Sequence, residues 1–150
     1  MSQSTVEQAP NDEPIYPTHH CFDDCADFMN ELYESGAYSE LAEYTIVHGI
    51  ILAPPDGEPH AHAWIEKDGF VIGRGIYKGK SIWYKVKRAD FVRDARVWDE
   101  TRYTFKEAVR MSYTLGGSGP WVPEYLALCG SDESHVWKAG VAKPEDQRDG

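Results

Sequence analysis

Apolar residues near the start of the chain recur at helical spacing. Between Phe22 and Leu32 they fall three or four residues apart, on one face of a helix. Several aspartates in the first turns suit the positive end of the helix dipole, and Gly36 is a typical stop signal. The pattern therefore predicts an amphipathic helix carrying Phe22, Cys25, Ala26, Phe28, Met29 and Leu32 on its buried side.

The middle of the chain has the patterns of β-strands. A β-branched run covers residues 44–53, a Pro-Pro-Asp-Gly turn follows, and Asp68-Gly69 stands where a tight hairpin turn belongs. Further segments alternate between apolar and polar residues, as half-buried strands do. We predict strands at residues 44–53, 60–67, 70–76, 81–87 and 95–101.

Helical signals return after the strands. Thr104 and Glu107 have the spacing of a capping box, and the segment they open runs to Leu115 before two glycines. A short apolar element at residues 121–129 closes the unit. The order predicts an α+β fold: an N-terminal helix on an antiparallel β-sheet meander, with one or two C-terminal helices.

Both ends of the chain are polar. Residues 1–17 are acidic and hold three prolines, and residues 131–150 have one apolar cluster at Val136-Trp137. Such segments cannot bury enough apolar surface to offset the entropy of ordering. We expect a disordered acidic tail at 1–17, a single domain at 18–130 and a mostly disordered tail at 131–150.

The charge balance limits the classes of partner. With 25 acidic and 15 basic residues the formal charge is -10, which disfavours binding to nucleic acid and to anionic membranes. Apolar runs are too short to span a bilayer, and the N-terminus lacks the regions of a signal peptide. Three cysteines fit a reducing compartment, so we expect a cytoplasmic protein.

Cysteine and histidine positions suggest a nucleophilic pair. Cys21 stands at the predicted helix start, where backbone N–H groups stabilise a thiolate, although the nearby aspartates oppose that charge. His60 and His62 alternate on a predicted strand with Trp64, so all three point to one face. A histidine facing a cysteine can take the thiol proton as general base. The alternative to such a pair is that Cys21 is only a small residue at the junction of a loop and a helix, and that His60 and His62 are exposed to solvent.

Two more residues are candidates for substrate contact. His48 lies inside the buried strand beside Gly49, where it is either a hydrogen-bonded core histidine or a ligand contact. The glycine-rich segment before Trp121 lacks the Lys-Ser/Thr of a phosphate loop. It presents Trp121 either to the core or over a cleft. Cys25 and Cys129 have the surroundings of core cysteines.

A zinc site is a further alternative. Cys21 and Cys25 are one helical turn apart, and His60 and His62 are two residues apart on a strand. Four such ligands can surround Zn²⁺, but the close cysteine pairs typical of structural zinc sites are absent from the sequence. We expect no metal and no cofactor.

Three segments together resemble papain-like and transglutaminase-like cysteine hydrolases, including uncharacterised bacterial and phage proteins. They are Cys21 at a helix start, the strand around Val47-His48-Gly49, and the H-A-W-I-E segment 62–66 with its Asp-Gly hairpin. The resemblance implies Cys21 as nucleophile and His62 as catalytic base. Trp64, His48 and Trp121 are the corresponding candidates for substrate binding. The first hypothesis is therefore a small cytosolic cysteine-dependent hydrolase or acyl-transfer enzyme that acts on a peptide, isopeptide or amide bond, with a peptide or protein as its partner.

One departure from this family affects the predicted mechanism. The return strand, residues 71–75, lacks the carboxylate that usually orients the histidine. Glu66 shares the face of His62 but stands roughly 13 Å along the strand from it. The orienting group therefore comes from elsewhere, or the domain is a catalytically inactive binding or interaction protein with a papain-like fold. A zinc-stabilised domain is the third hypothesis.

Overall fold

The computed structural model describes residues 6–10, 12, 15–18, 20–53 and 58–129. Its elements in chain order are β1 (Val6–Gln8), β2 (Tyr16–Pro17), α1 (Cys21–Glu34), α2 (Tyr38–Leu41), β3 (Thr45–Ala53), β4 (Glu58–Lys67), β5 (Phe70–Tyr77), β6 (Lys80–Lys87), α3 (Arg88–Ala95), β7 (Asp99–Tyr103), α4 (Phe105–Leu115) and α5 (Pro123–Leu126). The predicted α+β class is confirmed, and the predicted N-terminal helix, strand meander and C-terminal helices occur in the expected order.

A mixed, seven-stranded sheet forms the centre of the molecule. Its strand order is β1-β6-β5-β4-β3-β7, and β2 pairs with β5 outside this path. Strands β3 to β6 form the antiparallel meander that the sequence predicts, and β7 pairs antiparallel with β3. Strand β1 runs parallel to β6, which makes the sheet mixed.

Two tight hairpins set the register of the meander. Asp68 and Gly69 connect β4 to β5 with φ of 55° and 81°, and Lys78 and Gly79 connect β5 to β6 with φ of 51° and 79°. Two successive residues with positive φ are typical of a type I′ turn, whose twist matches that of the flanking strands. The hairpin predicted at Asp68-Gly69 is therefore confirmed.

Helices cover both faces of the sheet. On one side, called the α1 face, α1 buries Phe22, Phe28 and Met29 against sheet residues that include Ile46 and Ile65. On the other side, the α3 face, Phe91 of α3 packs on a smaller cluster of Val47, Ile51, Trp64 and Val71. Because side chains alternate along a strand, neighbouring residues of β4 belong to opposite faces. No helix in the described part of the chain is long and apolar enough to cross a membrane.

The N-terminal segment differs from the expected disordered tail. Residues 6–8 pair with β6, and residues 16–17 pair with β5. This pairing uses backbone hydrogen bonds at strand edges, which need no apolar periodicity, so the composition of the segment does not reveal it. The tail predicted at 131–150 and the turn predicted at 54–57 lie outside the described residues.

The region after β6 also differs. A helix, α3, occupies residues 88–95, and the strand expected at 95–101 begins only at Asp99. Phe91 is the buried residue of this helix, so its apolar stripe is too narrow to stand out by periodicity.

Candidate functional site

Cys21 lies at the N-terminus of α1, as predicted, but its environment does not favour a thiolate. The side chain is 8% exposed and belongs to the apolar cluster of the α1 face. Burial raises the pKa of the Cys21 thiol to about 12, although a hydrogen bond from the Ala63 backbone acts in the opposite direction. The thiol is therefore protonated at neutral pH, in contrast to the expected activation by the helix terminus.

His62 lies on the opposite side of the sheet from Cys21. Its ring packs 5.9 Å from the ring of Trp64 and 6.5 Å from that of Phe91, on the α3 face. The next residue, Ala63, joins the cluster of Cys21 on the α1 face. The expected Cys21–His62 dyad is therefore not formed, because the backbone of β4 separates the two side chains.

Trp64 also has a role that differs from the expected one, and it shares that role with Glu66. Trp64 is fully buried, and its Nε1 donates to Glu66 Oε2 at 2.9 Å. Arg102 donates to Glu66 Oε1 at 2.6 Å, and Arg88 donates to Oε2. Burial would raise the pKa of Glu66, but the hydrogen bonds from Arg102 and Trp64 outweigh it and hold the pKa below its ordinary value. Trp64 is thus a core residue without a ligand-accessible surface, and Glu66 belongs to an ion-pair network.

His48 and Trp121, the other two predicted contact residues, do lie together. The His48 ring centroid is 5.0 Å from that of Trp121, 4.7 Å from that of Phe22 and 5.1 Å from that of Tyr103. The loop before Trp121 packs directly on this ring: a Cβ at Gly119 would stand 2.5 Å from His48 Cε1. Gly119 also has φ of 96°, so both contact and conformation require glycine there.

The His48 imidazole is neutral and incompletely hydrogen-bonded. It is 1% exposed, and burial lowers its pKa to about 3. Within the described residues its Nδ1 has no hydrogen-bond partner. Burying a polar atom without a hydrogen-bond partner lowers the free energy of unfolding by about 1–3 kcal/mol. The unpaired Nδ1 therefore does not stabilise the fold, and a role in ligand binding would explain its presence.

A cavity of about 350 Å³ opens beside His48, between α1, α4 and the 116–121 loop. We call it the His48 cleft. Its volume and its mixture of apolar walls with a few polar groups are typical of ligand pockets. It is lined by Phe22, Ala26, Asp27, Met29, Asn30, Ile46, His48, Phe105, Ala108, Val109, Ser112, Tyr113, Gly117, Ser118 and Trp121.

The α4 side of this cleft was not identified from the sequence. Val109 and Tyr113 are four residues apart and are 47% and 94% exposed. The sequence shows these two residues one helical turn apart but does not show that they are exposed, and helical periodicity alone assigns such residues to the core. Asp27, one of the aspartates near the start of α1, also stands at the cleft, although its position in the sequence indicates only a favourable interaction with the helix dipole.

The four residues of the zinc alternative do not converge. Cys21 and Cys25 belong to the cluster on the α1 face, whereas His62 packs on the α3 face. Across the described ranges, no group of three or more His, Cys, Asp or Glu side chains could hold a metal ion. The ligand set of the zinc alternative is therefore not assembled.

Comparisons with known proteins do not assign the chain to a family. No protein-family model, curated protein or solved structure matches it. The papain-like resemblance stays a prediction, and the functional assignment depends on the geometry of the site.

Thiol labelling should reflect the observed placement of Cys21. At pH 7 we expect iodoacetamide to label Cys21 at least about 10³-fold more slowly than a free cysteine, because a pKa of about 12 leaves little thiolate. Changing His62→Ala should not alter that rate, since the imidazole lies across the sheet. Mass spectrometry of labelled peptides measures both rates. Rapid labelling of Cys21 that becomes slower in folded His62→Ala protein would contradict this placement and would show that Cys21 and His62 form a dyad.

Proposed function

We propose that this protein is a non-catalytic binding domain and that its ligand site is the His48 cleft. The ligand is one compact organic group, either a small molecule or a side chain of a partner protein. In this proposal the chain is a catalytically inactive relative of the papain-like proteins it resembles. The charge of -10 supports a function without nucleic-acid or membrane partners, and the cytoplasmic location remains a prediction.

One observation supports the proposal above all others. A buried histidine, whose Nδ1 has no hydrogen-bond partner in the described part of the chain, stands in the wall of a cavity of ligand size. The same cavity brings together aromatic rings from α1, α4 and the 116–121 loop. Large apolar pockets with a few polar groups are the usual form of binding sites. Two of the three contact residues predicted from the sequence, His48 and Trp121, line it.

The observed geometry does not favour the alternative function, a cysteine-dependent enzyme. A cysteine nucleophile needs a lowered thiol pKa and a base within hydrogen-bond reach. Burial raises the pKa of Cys21 instead, and His62 lies on the other face of the sheet. Glu66, which shares a face of β4 with His62, binds Trp64 and two arginines instead of orienting the imidazole.

A cleft-filling substitution tests the proposal. We choose Ser112→Trp, because Ser112 lines the cleft on the exposed side of α4. Thr114→Trp is the matched control, since Thr114 is exposed on the same helix but does not line the cleft. Both variants place the same ring on α4 at similar cost in helix propensity.

The probes are three one-ring compounds with short tails: 2-phenylethylammonium, 2-phenylethanol and 3-phenylpropionate. By calorimetry we expect at least one to bind wild-type protein with a Kd of about 1 mM or tighter. Ser112→Trp should weaken that binding at least about tenfold, and Thr114→Trp should leave it within about twofold. The proposal fails if neither these compounds nor the amides of lysine and norleucine bind, or if both variants bind like the wild type.

A further inference from the structure

We propose that the His48 cleft selects a cation: an ammonium or guanidinium group carried on an apolar stem. This inference rests on the proposed function and adds the chemical class of the ligand. It follows from the charges and the aromatic side chains that line the cavity.

The charge on the described lining of the cleft is negative. Among its described lining residues Asp27 is the only charged side chain, and no Lys or Arg is present. His48 adds no positive charge, because burial keeps it neutral at pH 7. An anionic ligand would therefore meet a carboxylate and find no cation to pair with, whereas a cationic ligand would find an acceptor.

Neighbouring charges reinforce this preference. The nearby Arg74 is not a lining residue, and its guanidinium pairs with Asp24 at 3.4 Å. Burial raises the pKa of Asp27, the carboxylates of Asp23, Asp24 and Glu31 on α1 raise it further, and the positive charge of Arg74 acts in the opposite direction. Like charges crowd at this point of the helix, and an approaching cation would relieve their repulsion.

Aromatic rings supply the second element of cation recognition. Four aromatic side chains line the cavity, and Tyr113 at its edge is 94% exposed. The faces of such rings attract a cation through their quadrupole, and they also pack against an apolar stem. A carboxylate beside aromatic rings therefore matches both ends of an alkyl- or arylammonium ion. The complete list of lining aromatics is Phe22, Phe105, Tyr113 and Trp121.

Two sources could provide such a group: a free organic amine, or a basic side chain of a partner protein. At about 350 Å³ the cavity holds one side chain or small molecule. The chemistry is shared by both sources, so the test contains one set of probes for each.

Calorimetry with the three matched probes tests the charge preference. We expect 2-phenylethylammonium to bind at least about fivefold tighter than 2-phenylethanol, and 3-phenylpropionate to bind most weakly. In Asp27→Asn the ammonium and the alcohol should bind within about twofold of each other. Glu34→Gln is the control, because it removes the same charge from an exposed α1 position outside the cleft, and it should keep the preference.

The partner-protein source is tested with N-acetyl-lysine N-methylamide against its norleucine analogue, which lacks the charge. An Asp27-dependent preference for a cation in either set of probes supports the inference. Equal binding of ammonium and alcohol together with equal binding of the lysine and norleucine compounds overturns it, as does a preference unchanged in Asp27→Asn. These results leave the proposed function standing, whereas failure of all probes to bind removes the proposed function itself.

Discussion

Replacing Trp64 with alanine should lower the free energy of unfolding by about 4 kcal/mol, the usual cost of truncating a buried tryptophan. The side chain is fully buried, and its ring stands 4.9 Å from that of Phe91. The substitution leaves a cavity on the α3 face and removes the Nε1 donor of Glu66. Urea denaturation followed by circular dichroism measures the loss.

Two further variants make this result decisive. Trp98→Ala removes a ring that is 66% exposed, and we expect a loss below about 1 kcal/mol. Trp64→Phe is the milder core change, for use if the alanine variant does not fold. It should keep the affinity for 2-phenylethylammonium within twofold, since Trp64 faces away from the cleft. Normal stability with lost binding in Trp64→Phe would show that Trp64 contacts the ligand.

Acid should destabilise the protein partly through His48. The folded pKa is lowered to about 3 by burial, below the ordinary value of 6.5. Between these values the unfolded chain binds a proton that the folded chain does not, so stability falls as pH falls through this window. At pH 5 this single group should cost about 2 kcal/mol relative to pH 8, where the imidazole is neutral in both states.

Comparison with His48→Gln isolates this contribution. Both proteins are unfolded with urea at pH 8 and pH 5, and other titrating groups cancel in the difference. We expect the wild type to lose about 2 kcal/mol more than the variant over this interval. Parallel losses would show that His48 is protonated in the folded protein and is not buried as described.

Most of the fold was predictable because its signals are local. The period of the α1 residues, the capping box at Thr104 and the Asp68-Gly69 turn each specify their own element. Elements held by pairing with distant strands were not predictable in this way. Strands β1 and β2 have only two or three residues, and their partners stand about 60 or more residues away in the chain.

The site was predictable only in part, for a related reason. The residues His48 and Trp121 were recognised as candidates, since Gly49 and the glycine-rich loop mark unusual backbone positions. Cys21 and His62 are a plausible pair by type, but the face of β4 on which a residue lies depends on register. The strand places Ala63, rather than His62, toward α1.

The most direct test of the account is a titration of ¹⁵N-labelled protein with 2-phenylethylammonium, followed by NMR. The Trp121 indole N–H donates to the Gly116 carbonyl oxygen at 3.3 Å, and its signal can be assigned with a Trp121→Phe variant. We predict a saturable shift of this signal together with the amides of Asp27, His48 and Ser112. Shifts confined to Trp64, Phe91 and their neighbours on the α3 face, or no shift at all, would contradict the assignment of the His48 cleft as the ligand site.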